Sequence, residues 1–289
     1  MSEARPFASQ TGKSPSEKKR VTLRDVAEEA GVSLKTASNV INHTGRMTDA
    51  TREKVQDVID RLGYRVNVSA RNLNRGRTGF ITLAVPCLTA PYLAELANRV
   101  IDAARIYGYS VYVTTYAEGT SHGVTSLLRN FNSTISDGMI LSLSEMEDLT
   151  PEDLSVDFPL VCVGARFTHH KADHVTPDDV QSARLATEYL LDRGVSRPAV
   201  VGSRTDFAQL STLRDVTEGN AQLRMRGVFE ACCDRNIALA TELMPNVGHD
   251  WSIGSGARNM QRIIDSGVPF DGVIALNDQL AMGALSTLA

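Results

Sequence analysis

The 289-residue chain lacks the features that assign a protein to the secreted, membrane or disulfide-rich classes. Its four cysteines contain no Cys-x-x-Cys spacing, which excludes a disulfide framework and a zinc ribbon. The longest stretch without a charged residue, residues 78–94, is shorter than the roughly 20 residues that a membrane helix needs. Residues 1–20 contain no apolar segment of the kind found in a secretory signal. We therefore expect a cytoplasmic protein with reduced thiols and no membrane partner.

Motifs that would indicate an enzyme or a metal site are missing as well. The sequence contains neither a Gly-x-Ser-x-Gly elbow nor a Walker loop. His169-His170 and Cys232-Cys233 are neighbouring pairs, which do not share a helical face, and neither has further ligands at zinc spacing. Gly254-Ser255-Gly256 lacks the last glycine of a dinucleotide loop. We expect no catalytic residue, no metal and no cofactor.

The charge of the chain is unevenly distributed. Residues 1–77 contain 15 Lys and Arg against 9 Asp and Glu, a net charge of +6, whereas the remaining residues carry −10. A basic head on an acidic body suggests a polyanion as the partner of the head. A solvated surface with uneven charge would give the same numbers, because +6 is a modest value.

The first 78 residues divide into a tail, a helical domain and a linker. Residues 1–19 are rich in Ser, Lys, Pro and Gly, which predicts a disordered tail. Residues 20–63 show three apolar stripes of helical period, each preceded by Ser or Thr, and predict a compact three-helix domain. Residues 64–78 are polar and basic. Because a helix of this length is marginal in water, we expect this linker to fold only when something packs against it.

From residue 79 onward, short apolar strands alternate with amphipathic helices. This alternation predicts doubly wound, parallel α/β sheets. The pattern runs twice, over residues 79–175 and 176–289, so we expect two lobes with a cleft between them. Strand ends and helix N-termini that face such a cleft form a natural site for a polar ligand.

Residues 22–42, TLRDVAEEAGVSLKTASNVIN, predict a helix, a tight turn at Gly31, and a second helix with polar residues on its outer, N-terminal face. This pattern is typical of a helix-turn-helix, whose second helix enters the major groove of DNA. The stretch resembles the lactose-repressor (LacI/GalR) family of bacterial transcription regulators. The resemblance continues through TREKVQDVIDRLGY, ARNL, HDWSIGSG and ALNDQLAMGAL, and so covers residues 20–289.

The resemblance implies both a fold and a function. The fold is an all-α helix-turn-helix domain followed by a periplasmic-binding-protein-like α/β core of two doubly wound lobes. The function is that of a sequence-specific DNA-binding regulator, a repressor, whose affinity for double-stranded operator DNA is controlled by a small effector. The effector, a sugar, would bind between the two lobes of the core.

The resemblance also assigns the DNA contacts. Bases are read at Leu34, Lys35 and Asn39, where Lys can donate to guanine, Asn can pair with adenine and Leu can touch a thymine methyl. Asn39 stands where an arginine is expected, which leaves the operator sequence open. Lys35 could instead be a solvated lysine, and Ser33 a plain helix cap. Phosphate contacts are implied for five polar residues, namely Thr22, Ser33, Thr36, Ser38 and Asn42.

The linker is similar to the hinge helix of the family. By this resemblance, two hinges fold together in the minor groove, where Leu73 of each subunit wedges into a base step and kinks the DNA. Ala70 would let the two helices approach closely, while Asn67 and Arg71 would contact the DNA backbone. The alternative for Leu73 is a place in a protein core. Val66 stands where the family often has proline.

For the cleft, the resemblance implies an effector site. Tyr92 and Trp251 would stack on the effector, and Arg224 and Asp278 would bond its hydroxyls. Arg166 is a further candidate, for which an exposed salt bridge is equally expected. Two alternatives stay open, because Asp278 could cap the last helix and Trp251 could belong to the core.

The family's chain continues beyond the NDQLAMGAL helix, whereas this sequence stops at Ala289. We therefore expect part of the core sheet, of the dimer surface and of the effector surface to be missing. If Ala289 is the native end, we expect exposed strand edges, weakened dimerisation and a weakened effector response. A complete chain is expected to form a homodimer.

Two other functions are alternatives for this sequence. A cytosolic solute-binding protein without a DNA role would need no basic head. An enzyme would need a nucleophile–base pair or a cofactor loop.

Overall fold

The computed structural model describes the chain in five stretches, which are residues 21–65, 77–117, 123–143, 149–204 and 210–289. The chain separates into two compact units, residues 1–76 and residues 77–289. Within the described stretches, no helix has both the length and the apolar character that crossing a membrane requires.

The first unit is built from three helices, α1 (Leu23–Glu29), α2 (Leu34–Ile41) and α3 (Asp49–Leu62). The residues that precede them, Thr22, Ser33 and Thr48, each accept a backbone hydrogen bond with their side-chain oxygen. Such caps satisfy amide groups that a helix N-terminus leaves without partners. At α1 the cap is reciprocal, because the Asp25 carboxylate accepts from the Thr22 N–H at 2.7 Å. The predicted helix starts are thereby confirmed.

The apolar faces of these helices meet in one cluster. Val26 of α1, Ala37 of α2 and Val55 of α3 are each fully buried. The turn between α1 and α2 is closed by a 3.0 Å hydrogen bond from the Val32 N–H to the Ala27 carbonyl. These contacts hold α2 against α1 and leave the N-terminal turn of α2 pointing away from the cluster.

The second unit begins with alternating strands and helices, which are β1 (Phe80–Val85), α4 (Pro91–Ile106), β2 (Ser110–Thr115), α5 (Gly123–Arg129), β3 (Met139–Ser142), β4 (Leu160–Val163) and β5 (Asp173–Val175). The strands form a parallel sheet in the order β2-β1-β3-β4-β5. Successive residues of β1 point to opposite faces: Leu83 packs with α4, and Ala84 packs with Leu128 of α5. The sheet is therefore covered on both faces, as a doubly wound sheet requires.

Strand β5 was not predicted from the sequence. All three of its residues are exposed, and it pairs with β4 at the edge of the sheet. An exposed strand of this length has no apolar alternation, and apolar alternation is the signal on which a strand prediction depends.

The remaining elements form the second lobe, namely α6 (Asp179–Leu191), β6 (Pro198–Val201), α7 (Asn220–Asp234), α8 (Ile253–Asp265), β7 (Gly272–Ala275) and α9 (Asp278–Leu288), with 3-10 helices at Leu210–Asp215 and Thr241–Leu243. Strands β6 and β7 pair in parallel as a second sheet. Val200 of β6 packs with α6 and α7 on one face, and Val201 packs with α8 and α9 on the other. Each of the two sequence runs thus builds its own parallel sheet with helices on both faces.

Asp271 ties together the amino ends of β6 and β7. Its carboxylate accepts hydrogen bonds from the backbone N–H groups of Arg197, at 2.7 Å, and Ser196, at 3.0 Å. These bonds, with that from Arg197 the strongest, lower the pKa of Asp271 below its ordinary value.

A consequence for pH dependence follows from this lowered pKa. The stabilising contribution of Asp271 is fully present above the ordinary Asp pKa and is lost as pH falls through the lower, folded-state pKa. Between about pH 5 and pH 3 we expect the urea midpoint of the wild type to fall more steeply than that of Asp271→Asn. Parallel curves for the two proteins would contradict this prediction.

Candidate nucleic-acid interface and ligand cleft

The first turn of α2 presents an exposed face. Leu34 is 49% exposed, and Lys35 beside it is also exposed. Both directly follow Ser33, whose Oγ accepts a hydrogen bond from the Thr36 N–H at 3.0 Å. An exposed leucine next to an exposed lysine combines an apolar contact with a cationic donor, and base edges in the major groove are recognised by both.

The other predicted contacts on α2 are partly occupied by local bonds. The Asn42 amide donates to the Ser38 carbonyl at 2.9 Å at the C-terminal end of the helix. Asn39, one turn after Lys35, is half-buried. The cap alternative for Ser33 is confirmed, and Thr22 is a cap as well. Their contacts with phosphate stay predictions.

The predicted contacts of the hinge lie outside the described residues. These are Asn67, Ala70, Arg71 and Leu73, together with Val66.

The described part of the first unit is electrically neutral. Residues 21–65 contain seven Lys and Arg and seven Asp and Glu. One cation of this set, Arg61, is paired with Glu29 at 2.7 Å. The basic excess of residues 1–77 therefore comes from residues 1–20 and 66–77, on either side of the three helices. General attraction to a polyanion depends on uncompensated cations, so the flanking segments supply most of it.

In the second unit, a cluster of polar side chains lies at the carboxyl end of β7. Arg224, in α7, donates from Nε to Asp179 at 2.7 Å and from Nη1 to the Leu276 carbonyl at 2.6 Å. Asn220 donates to the second oxygen of the Asp179 carboxylate at 2.8 Å. Asp179 is 3% exposed, so this carboxylate is buried with a donor on each oxygen. It holds the Arg224 guanidinium in one position beside the strand end.

Trp251 completes this cluster. Its ring centroid is 5.8 Å from the Arg224 guanidinium carbon, within reach of a cation–π contact. The indole is half-buried and touches the apolar clusters on both faces of the second sheet. The alternative that Trp251 belongs to the core therefore holds for the buried part of its side chain. Its carbonyl accepts from the Asn277 amide at 3.2 Å.

The alternative that Asp278 caps the last helix is wrong. The cap is Asn277, whose Oδ1 accepts from the Leu280 N–H at 2.7 Å. Asp278 stands in the first turn of α9 and is exposed. Its carboxylate is therefore not used as the cap, and its assignment to the effector stays a prediction.

Arg166 lies where the two lobes of the second unit meet. It pairs with Glu218, just before α7, at 3.4 Å, so the alternative of a salt bridge is confirmed, but the Arg166 side chain is 23% exposed and the pair is half-buried instead of exposed. Glu218 also accepts from the Phe167 N–H at 3.0 Å, and the Gly219 N–H donates to the Ala165 carbonyl at 2.8 Å. A cavity of about 190 Å³ opens here, lined by Leu143, Leu149, Arg166, Phe167, His169, Thr217 and Glu218.

The five predicted effector residues are thus only partly brought together. Arg224 and Trp251 are in contact, and Asp278 adjoins the Asn277 cap that bonds to Trp251. Arg166 belongs to the lobe junction, and Tyr92, 63% exposed, begins α4 beyond the end of β1. The described stretches contain no group of three or more His, Cys, Asp or Glu that could hold a metal ion.

Sequence reasoning missed Asp179, Asn220 and Asn277. A signal was present in the pairs 178–179 and 277–278, each of which consists of two adjacent polar residues at the start of a helix. In both pairs the first residue is the cap, and the second stands in the first helical turn. The sequence does not indicate that one of these second residues, Asp179, is buried against an arginine 45 positions later.

Two protein families match the chain. One, "Bacterial regulatory proteins, lacI family", covers residues 22–67; the other, "Periplasmic binding proteins and sugar binding domain of LacI family", covers residues 78–289. The HTH-type transcriptional regulator RegA of Clostridium saccharobutylicum is 28% identical over 92% of this chain and 77% of its own length.

Solved structures show the same architecture. A transcriptional regulator of the LacI family from Sanguibacter keddieii is 35% identical and covers 74% of this chain and 72% of its own, with a TM-score of 0.62. The lac repressor dimer bound to operator and the anti-inducer ONPF, at 23% identity, shares the fold over 93% of this chain and 78% of its own, with a TM-score of 0.77. The chain belongs to the LacI family of bacterial regulatory proteins and is a DNA-binding transcriptional regulator with a sugar-binding core.

Proposed function

We propose that this regulator reads its operator through the first turn of α2 and that a sugar held by Arg224, Trp251 and Asp278 controls operator affinity. The exposed pair Leu34 and Lys35 is the observation that carries the DNA part of the proposal. Leu34 stands at the start of a capped, well-packed helix and does not belong to the apolar cluster that the described residues of its unit form. In the major groove it meets thymine methyl groups, and Lys35 meets guanine acceptors.

The effector part is supported by the fixed position of Arg224. A guanidinium clamped by a buried carboxylate and a backbone carbonyl loses little entropy when it bonds a further oxygen. The indole face of Trp251 suits the apolar face of a sugar ring, and the Asp278 carboxylate can accept from sugar hydroxyls. We assign Tyr92 and Arg166 to the opposite wall of the same site, because both follow strands of the first sheet.

The hinge provides the coupling in this proposal. Folding of residues 64–78 on DNA, with Leu73 as the wedge, adds the hinge's folding free energy to the binding equilibrium. A sugar that favours one arrangement of the lobes changes the position of the two hinges in a homodimer, and so the operator affinity. The change in affinity can be no larger than the sugar's own preference between the two arrangements. The regulator acts in the cytoplasm, where its operator is, and the proposal includes no catalytic step.

Lys35→Ala tests the DNA part. On a duplex selected by the wild-type protein from a random pool, we expect affinity to fall about tenfold, because one base contact is lost. On unselected duplex the loss should be less than about threefold, since general binding depends on many cations. Electrophoretic shifts across a salt titration measure both.

The matched control is Arg61→Ala, which removes an exposed cation from α3 instead of α2. Surface pairs of this kind contribute little stability, so both variants should stay folded. Equal losses for Lys35→Ala on selected and unselected duplex, or equal losses for the two variants, would reject Lys35 as a base reader.

A further inference from the structure

The side chain of Asn39 rests against the backbone of Gly45. The turn after α2 folds back on the helix, since the Thr44 N–H donates to the Asn39 carbonyl at 2.9 Å. Gly45 follows with a φ of +78°. A Cβ built at this position would lie 2.6 Å from Nδ2 and 3.1 Å from Cγ of Asn39. The Asn39 amide therefore occupies the space that a side chain at position 45 would need.

The partner that yields to a side chain at position 45 is the Asn39 amide. Separations under 3.0 Å are not tolerated between real Cβ atoms and their neighbours, so one of the two groups has to move. The clashing atoms belong to the far end of the Asn39 side chain and not to backbone, and this end can rotate about χ1 and χ2. A methyl group at position 45 thus redirects the amide while the three-helix cluster stays in place.

The direction of this amide has a consequence for recognition. Asparagine reads adenine with two atoms at once, its carbonyl oxygen and its amino group, which fixes the orientation that the amide plane must have. The side chain is short, so a displaced amide cannot restore both bonds by stretching further into the groove. Because Gly45 has no side chain, the space that the Asn39 amide occupies in this orientation stays free.

We propose that Gly45 is a positioning residue for operator recognition, whose missing side chain sets the direction of the Asn39 amide and hence the base pair preferred by the second turn of α2. The inference rests on the proposed role of Asn39 as a base reader. It adds a residue outside α2 to the determinants of sequence preference.

The test compares Gly45→Ala with Gly63→Ala in the full chain. Gly63 ends α3 with a φ of +63°, and a Cβ there would meet no atom of the described residues within 4 Å. Both substitutions force an alanine into the left-handed region and share that backbone strain. They differ in the contact with Asn39, so a difference in base preference reports this contact alone. Selection from a duplex pool randomised at every position of the operator measures the preference, and thermal melting measures the shared strain.

We expect the two variants to melt at similarly lowered temperatures and to differ in recognition. Gly45→Ala should lose about tenfold in discrimination at the same position of the operator as Asn39→Ala, with the other positions unchanged. Gly63→Ala should keep the wild-type preference throughout. In an Asn39→Ala background, adding Gly45→Ala should cause no further change in preference, because the residue it acts through is gone.

The outcomes separate the inference from its premise. If Asn39→Ala changes the preference at one position and Gly45→Ala does not, Gly45 has no positioning role and Asn39 remains a reader. If Asn39→Ala leaves the preference unchanged, the role of Asn39 itself fails, and the inference with it. Should Gly45→Ala fail to fold, Gly45→Asn replaces it, since asparagine tolerates a positive φ while still placing a Cβ against Asn39. A wild-type preference in that variant would equally overturn the proposal.

Discussion

Gly283→Ala is expected to lower the melting temperature of the second unit by roughly 6–12 °C. Gly283 lies where α9 crosses α8, and a Cβ there would be 2.0 Å from the Ile253 carbonyl oxygen and 2.6 Å from the Ala257 nitrogen. Both atoms belong to the backbone of α8, so no side-chain rotation relieves the overlap and the two helices have to separate. Gly256 makes the reciprocal approach, with a Cβ placed 2.4 Å from the Leu280 carbonyl oxygen. We put the cost at about 3 kcal/mol, the upper part of the usual range for overpacking.

The same substitution at Gly254 is the matched control. This glycine lies in the first turn of α8, and the atom nearest to a Cβ at this position belongs to the flexible guanidinium of Arg258, one turn later in the same helix, at 3.3 Å. Alanine has the higher helix propensity, so Gly254→Ala should stabilise by about 0.5 kcal/mol. Fluorescence of Trp251, the one tryptophan of the chain, follows unfolding of the sheet that these helices cover. A Gly283→Ala protein that melts at or above the wild-type temperature would show that the close crossing is not formed.

Asp179→Asn is expected to lower effector affinity about 10- to 100-fold while leaving operator affinity without effector within about threefold. The amide keeps the shape of the carboxylate and removes its charge, so Arg224 loses its counter-ion and its charge-assisted hydrogen bond. Bonds to charged groups contribute about 1.5–3 kcal/mol, which corresponds to the expected loss of affinity. The partners of the Asp179 carboxylate, Asn220 and Arg224, lie at the ligand cluster of the second unit, so the substitution leaves the reading helix α2 itself unchanged.

Two further variants make this experiment specific to the position of Arg224. Asp192→Asn also removes a carboxylate that an arginine contacts, Arg235 at 2.6 Å, but at the surface, and should leave the effector response unchanged. Adding Asp179→Asn to Arg224→Gln should cause no loss beyond that of Arg224→Gln alone, because the carboxylate acts through the guanidinium. The readout is the shift in operator affinity caused by a sugar identified with the wild-type protein. A full response in Asp179→Asn would remove Arg224 from the effector site.

The helical unit was predictable from the sequence because its signals are local. A cap such as Thr22 acts on the amide three residues later, and a glycine such as Gly31, with a φ of +64°, ends its helix by its own conformation. Neither depends on the rest of the chain. The alternation of apolar strands and amphipathic helices in the second unit is likewise a property of neighbouring residues, so the parallel sheets could be expected as well. The exposed strand β5 could not be predicted, because its residues stay exposed when it pairs with β4 and the sequence therefore shows no apolar alternation there.

The cluster of polar side chains at the carboxyl end of β7 shows the opposite dependence. The resemblance pointed to Arg224 and Trp251, but not to Asp179, which clamps Arg224 from 45 positions away, nor to Asn277, which holds the cap position that was an alternative for Asp278. Burial decides which of two adjacent polar residues becomes a partner, and burial exists only once helices and strands have packed. By itself, therefore, the sequence determined the α-helices, the strands other than β5, their order and the family. The tertiary structure alone decided which side chains meet at the end of β7 and which amide rests on Gly45, since both contacts depend on distances between segments that local propensity does not set.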